Sequence, residues 1–188
     1  MNLIVNVDLD WGIGLDDALL ERIPDDMKFF RKMTLGKVVI LGRKTLASFS
    51  GGKPLKDRTN IVLTTNTKLE CGDAIICNSI EDLLNKLVDY KSEDIFVIGG
   101  ETVYRQLLPY CSKAYVTKTY KHHAANKFFP DLDLSLGLGL SSSSDSSSDS
   151  DSDSDSRSNW TLIEISPMQI HNEIEFNFNI YENKNLKY

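Results

Sequence analysis

Cysteine is scarce in this chain. Cys71, Cys77 and Cys111 form no CxxC pair, and their odd number leaves one unmatched. Reduced, mostly buried thiols in a cytosolic protein are the expectation, not a disulfide framework. Long apolar runs are missing too, since none approaches the ~20 residues needed to cross a bilayer. The start, Met1-Asn2-Leu3-Ile4-Val5, lacks the basic region and small-residue cleavage site of a secretory signal. Nor is there an excess of basic charge. The net charge is −6, and residues 141–158 hold five Asp against one Arg, which leaves about −2 for the rest. Without a basic stripe, nothing argues for nucleic acid. His122 and His123 have no partners at metal-ligand spacing, so they are expected in a solvated loop and no metal site is expected.

What is present suits one domain. A core built from 188 residues can bury most of its apolar surface, and 41% hydrophobic with 26% charged residues is the composition of an ordinary globule. Residues 3–7, 38–41, 61–63 and 95–98 are short, continuous apolar runs, which suit strands covered on both faces, as in parallel sheets. Helical patterns alternate with them at 24–33, 43–49, 80–90 and 101–108, so the spacing predicts an α/β fold. The last stretch differs. Ile174, Phe176, Phe178 and Ile180 alternate with polar residues, and with 160–165 they predict a half-exposed antiparallel hairpin. Between the two regimes, 134–158 is a Leu/Gly patch followed by Ser/Asp repeats. It cannot bury enough surface to offset its ordering entropy, and is expected as a disordered insertion (about 135–158) within the single domain 1–188.

Four segments carry candidate chemistry. In Ile23-Pro24-Asp25-Asp26-Met27-Lys28-Phe29-Phe30-Arg31-Lys32-Met33, Pro24 suits a first helical position. Helical phase then separates two neighbouring acids. Asp25 shares a face with Lys28 and Lys32 and is solvated, whereas Asp26 shares one with Phe30 and Met33. A carboxylate on an apolar stripe must be protonated, paired or bonded to a ligand, although a helix N-terminus also favours acids for its own sake. Ile98-Gly99-Gly100-Glu101-Thr102-Val103-Tyr104 follows a strand and opens a helix, where glycines let a ligand approach the backbone; it is not a GxGxxG fingerprint, and a tight turn has the same pattern. Leu41-Gly42-Arg43-Lys44-Thr45 repeats the arrangement with two cations and a hydroxyl. Two such turns suit a ligand with separated phosphates, such as a dinucleotide with a ribose phosphate. Asp10-Trp11-Gly12-Ile13-Gly14-Leu15 is punctuated by glycines, as a flexible lid or a plain turn would be.

In this order, and with Pro54-Leu55-Lys56-Asp57-Arg58-Thr59-Asn60, Thr117, Phe129-Pro130-Asp131 and the Trp160 hairpin, these segments resemble the dihydrofolate reductase family over nearly the whole chain. Only 134–158 has no counterpart. The resemblance implies a single-domain α/β fold: an eight-stranded, mainly parallel sheet with an antiparallel C-terminal strand, flanked by four helices. It implies NADPH-dependent reduction of dihydrofolate to tetrahydrofolate, serving one-carbon metabolism and thymidylate synthesis, in a cytoplasmic monomer. Asp26 would hold the pterin's amidine-like edge, supported by the Thr117 hydroxyl, with water as proton donor. Ile4, Val5, Met27, Phe30, Phe49, Leu55 and Ile98 would line the substrate, and Arg58 would pair with the carboxylate of its glutamate tail. The cofactor would lie against Asn6, Ile13, Gly14, Leu19, Gly42, Arg43, Lys44, Thr45, Thr64, Thr65, Asn78, Gly99, Gly100, Glu101, Thr102, Val103 and Tyr104, with Arg43 and Thr64 at the 2′-phosphate.

This sequence departs from many relatives in three places. Leu19-Leu20-Glu21-Arg22 stands where a lid-hinge tryptophan is common, Asn126 where an aspartate braces the lid, and Asn78 where a basic residue often serves the phosphate. Two other functions compete: the riboflavin-pathway pyrimidine reductases, which lack an acid like Asp26, and a non-catalytic scaffold acting through its Ser/Asp tract.

Overall fold

The computed structural model describes residues 1–136 and 159–187. Its strands are β1 (Asn2–Val7), β2 (Gly12–Gly14), β3 (Val38–Gly42), β4 (Thr59–Leu63), β5 (Ile75–Cys77), β6 (Ile95–Gly99), β7 (Lys113–Thr119), β8 (Lys127–Phe128), β9 (Trp160–Ile165), β10 (Gln169–His171) and β11 (Ile174–Asn183). The helices are α1 (Pro24–Thr34), α2 (Arg43–Ser48), α3 (Ile80–Leu87) and α4 (Glu101–Leu107). Eight strands follow one another in the order β10-β11-β7-β1-β6-β3-β4-β5, and β9 pairs with β11 as a ninth. Strands β1 and β3 to β7 are mutually parallel, while β11 runs antiparallel to β7. The mainly parallel sheet, its antiparallel C-terminal strand and the four helices are those expected.

The central strands are mostly apolar because both sheet faces are covered. Side chains alternate between faces, so each strand feeds two separate cores. Leu3, Val5, Val38, Ile40, Ile61, Ile95 and Val97 join Leu83 and Leu87 of α3 and Val103 and Leu107 of α4 on one face. Ile4, Val39, Leu41, Val62, Phe96 and Ile98 join Leu46 of α2, with Phe29, Phe30 and Met33 of α1 packed against them. Full burial of each such side chain contributes about 1.5–3 kcal/mol, which fixes the register that brings the two glycine turns side by side.

Two expectations change. The glycine-punctuated segment 10–15 is not a loose loop, because Gly12 and Gly14 pair with β8 in a small second sheet. Their role is closeness: a Cβ at Gly12 would lie 2.8 Å from the Ala125 Cβ, and one at Gly14 2.8 Å from the Ala18 carbonyl oxygen. Trp11 is buried, stacked on Phe129 and edge-on to Tyr181. The chain also stays regular a little further than expected, with a 3-10 turn at Asp133–Leu136. The remainder of the expected insertion, 137–158, lies outside the described residues. Cys71, Cys77 and Cys111 are free and buried, and burial pushes the Cys111 thiol up to about 12.

Candidate active site

Helix α1 begins at Pro24 with no side-chain cap from Ile23. Asp26, third in the helix, could fold back onto the helix start as an N-terminal acid often does. It reaches the sheet instead. Thr117 Oγ1 donates to Asp26 Oδ1 at 2.6 Å, and Asn6 Nδ2 donates to Oδ2 at 3.3 Å. Asn6 and Thr117 are register partners on the adjacent strands β1 and β7. Thr119, two residues along β7 and therefore on the same face, donates to Asn6 Oδ1 at 3.0 Å. Asp25 behaves as its helical phase predicted: it is exposed and accepts from Lys28 Nζ at 2.9 Å.

Asp26 is half-buried. Burial pushes its carboxyl above the ordinary carboxylate value, and the hydrogen bonds from Thr117 and then Asn6 pull the other way. An unfolded chain loses this proton at the ordinary value and the folded chain only at higher pH. The folded state is therefore penalised progressively as pH rises through that interval, and fully above it. Asp26→Asn is accordingly expected to raise Tm at neutral pH and to leave it unchanged in acid. Each kilocalorie recovered is worth about 2–4 °C at this size. Thermal unfolding at the two pH values checks the sign.

Beside Asn6, the hydrogen-bond partner of Asp26, the β3–α2 and β6–α4 turns pack side by side and line a cleft of about 530 Å³. It brings together every residue expected to hold the cofactor: Asn6, Ile13, Gly14, Leu19, Gly42, Arg43, Lys44, Thr45, Thr64, Thr65, Asn78, Gly99, Gly100, Glu101, Thr102, Val103 and Tyr104. Close packing shapes the floor. A Cβ at Gly42 would lie 3.1 Å from Val103 Cγ2, and one at Gly100 3.1 Å from Thr45 Oγ1. Also lining the cleft, Asn78 Nδ2 donates to the Thr64 carbonyl at 2.8 Å. Among the described residues neither Arg43 nor Lys44 is held in an ion pair, so both cations remain available to an anion. A cleft lined by two strand-to-helix turns and by the two cations Arg43 and Lys44 fits a phosphorylated dinucleotide.

The expected substrate residues are less closely gathered. Ile4, Phe30, Phe49, Leu55 and Ile98 share the α1–α2 face core, while Val5 belongs to the opposite core and lines the cleft with Ile98. Met27 is 46% exposed and belongs to neither core. Arg58 is half-buried over the Phe30 ring, 5.8 Å from its centroid. Its Nε donates to Thr34 Oγ1 and one Nη to the Lys56 carbonyl, each at 2.9 Å, which orients the outer edge of the fork.

Sequence reasoning missed a polar cluster around Asp8, next to the segment 10–15. The buried Asp8 carboxylate accepts from the backbone N–H groups of Asp10, Gly12 and His123. His122 is solvated as expected, but His123 is only 12% exposed, and its Nε2 lies 3.2 Å from Glu21 Oε1. That bond, with Lys121 beside it, holds the Glu21 carboxyl below its ordinary value. Asn126 trades hydrogen bonds with Asp16, so it ties down the segment after β2 without an acid.

Comparison with known proteins gives a consistent picture. A family model described as dihydrofolate reductase matches residues 1–165. The dihydrofolate reductase of Bacillus subtilis (strain 168) is 30% identical over 187 residues, covering 98% of this chain and 95% of that protein. That of Staphylococcus haemolyticus is 39% identical over 130 residues, covering 69% and 76%. Among solved structures, dihydrofolate reductase from Enterococcus faecalis, complexed with NADP(H) and RAB-propyl, aligns with a TM-score of 0.77 at 25% identity, covering 97% of this chain and 95% of that one. In sequence and in fold, the chain belongs to the dihydrofolate reductase family.

Proposed function

We propose that this chain reduces 7,8-dihydrofolate to 5,6,7,8-tetrahydrofolate with NADPH, and that Asp26 anchors the pterin. The observation that carries this reading is the half-buried Asp26 carboxylate, bonded to Thr117 and to Asn6, which itself lines the cleft with the two glycine turns and the Arg43 and Lys44 cations. An ionised carboxylate there accepts hydrogen bonds from the N–H donors of the pterin's amidine-like edge, and its charge favours the protonated ring. Thr117 keeps the carboxylate oriented. The proton reaches the ring through water, with Leu19, 56% exposed on the cleft wall, as the lid residue above. Ile4, Val5, Met27, Phe30, Phe49, Leu55 and Ile98 supply apolar walls, and Arg58 receives the tail carboxylate. Gly42, Arg43, Lys44, Thr45, Thr64 and the turn from Gly99 to Tyr104 hold the cofactor, with Arg43 and Thr64 at its 2′-phosphate. When bound, NADPH supplies the hydride. The residues around it fix alignment and exclude water, which is most of what such a transfer requires.

The same reading makes the protein a single-domain cytoplasmic monomer that supports one-carbon metabolism and thymidylate synthesis. Among the described residues no helix is long and apolar enough to cross a membrane. The test is direct. Mixing protein, NADPH and dihydrofolate should give rapid loss of NADPH absorbance, much slower with NADH, and no turnover with NADPH would refute the proposal. The Ser/Asp tract is proposed to be dispensable for turnover. The 3-10 turn Asp133–Leu136 packs against β9, so the chain leaves and returns at neighbouring points, and loop length there costs little. Deleting 141–158 should leave kcat nearly unchanged; lost activity in a folded deletion variant would assign the tract a role in the site.

A further inference from the structure

Asn6 is a polar side chain in a strand whose neighbours Ile4, Val5 and Val7 are buried and apolar. It lines both the large cleft and a smaller cavity closed by Leu19, Leu20, Glu21, Thr119 and His123. Its amide has two ends and both are engaged. Thr119 Oγ1 donates to Oδ1 at 3.0 Å, which turns the NH2 group toward Asp26, where Nδ2 donates to Oδ2 at 3.3 Å. Thr117 has already taken Oδ1 of the same carboxylate. We infer that Asn6 is a positioning residue: through a Thr119–Asn6–Asp26 relay it holds the second oxygen of the carboxylate and keeps that carboxylate ionised for the pterin. This role rests on Asp26 being the pterin anchor, and is separate from any contact the β1 backbone makes with the cofactor.

Electrostatics explains why a second donor matters here. Burial favours the neutral acid, and a neutral Asp26 carries no charge to favour the protonated ring. Each N–H or O–H aimed at the carboxylate stabilises the anion selectively, because the neutral acid accepts more weakly. Thr117 and Asn6 are the two side chains that oppose burial at this carboxyl. The relay also transmits geometry. Thr117 and Thr119 project from one face of β7, so a single strand sets both carboxylate oxygens at once.

The test is the titration of the Asp26 carboxyl, followed by 13C NMR in the full-length protein labelled at aspartate Cγ. The resonance is assigned by its absence from Asp26→Asn. In Asn6→Leu, which keeps bulk and removes the donor, half-protonation should move to higher pH, equivalent to about threefold to tenfold tighter proton binding. Thr119→Val should move it in the same direction by less, because the amide is freed and not removed. KM for dihydrofolate in Asn6→Leu should rise most on the acid side, while KM for NADPH stays near wild type. A carboxyl titration unchanged in Asn6→Leu overturns the inference, and so does a rise in KM confined to NADPH, which would make the side chain a cofactor contact. If Asn6→Leu does not fold, Thr119→Val decides by the same criterion. Should Asp26→Asn turn over at the wild-type rate, Asp26 is not the anchor, yet the NMR titration still reports whether Asn6 governs its proton.

Discussion

Asp26→Asn is expected to lower kcat/KM for dihydrofolate at neutral pH by about a hundredfold to ten-thousandfold, the range usual for losing a positioned acid–base group. The substitution preserves shape, and the Thr117 hydroxyl at 2.6 Å can still bond the new side chain. What disappears is the negative charge beside the ring. Without it, the protonated pterin has no counter-charge and the reacting ring nitrogen must acquire its proton unaided. Acid should therefore restore part of the rate, since more substrate then arrives already protonated. Steady-state kinetics of both proteins from acid to alkaline pH check this. Parallel pH profiles separated by a constant factor would contradict the role of the charge. Function and stability oppose each other at this residue, because the change that removes activity is also expected to raise Tm at neutral pH.

Gly99→Ala is expected to raise KM for NADPH by about tenfold to a hundredfold while affecting KM for dihydrofolate less. Gly99 has φ +121, a conformation L side chains rarely adopt, and a Cβ there would lie 3.3 Å from Tyr104 Cε2. Tyr104 cannot retreat. Its buried hydroxyl donates to the Ile4 carbonyl at 2.7 Å, and its ring packs edge-on to Phe129 at 4.9 Å. The turn must therefore shift, at about 1–3 kcal/mol for forcing such a backbone conformation, and each 1.4 kcal/mol is a factor of ten in affinity. Gly36→Ala is the control: its φ is +73, but a Cβ there meets nothing within 4 Å and the position lies outside the cleft. Both variants should lose stability, and only Gly99→Ala should lose NADPH binding. Equal NADPH constants for the two would remove the Gly99–Gly100 turn from the cofactor site.

Periodicity made much of the fold legible. Strands β1, β3, β4 and β6 are covered on both faces and so are mostly apolar, with Asn6 and Asn60 among the polar exceptions. The alternation in β11 predicted one exposed face, but β11 is paired with β7 on one side and with β9 and β10 on the other, and its Asn177, Asn179 and Asn183 are buried. Strand β7 was not legible as a strand, because Lys113, Thr117, Lys118 and Thr119 interrupt its apolar positions. Those same polar residues serve the site: Thr117 and Thr119 belong to the Asp26 relay, and Lys118 pairs with Asp133. Helical phase distinguished Asp26 from Asp25 because the relevant neighbours lie three, four and seven residues away. Phase could not reveal that Asn6 meets Asp26 twenty residues on, or that His123 meets Glu21 and Asp8 across more than a hundred. Gly12 and Gly14 suggested flexibility, yet their neighbours Ala125 and Ala18 show that close approach is what they permit. Contacts set by tertiary packing leave only a faint trace in local sequence, such as one asparagine inside an apolar strand.

Asp26 as pterin anchor is tested most directly by single-turnover transfer from NADPH deuterated at the transferring position, with wild type and Asp26→Asn compared at saturating cofactor. Wild type should move deuterium rapidly into tetrahydrofolate. Asp26→Asn should bind NADPH equally well, transfer more slowly by about a hundredfold or more at neutral pH, and recover part of the difference in acid. Transfer by Asp26→Asn at the wild-type rate at neutral pH would contradict that role, and a product without deuterium would contradict the reaction itself.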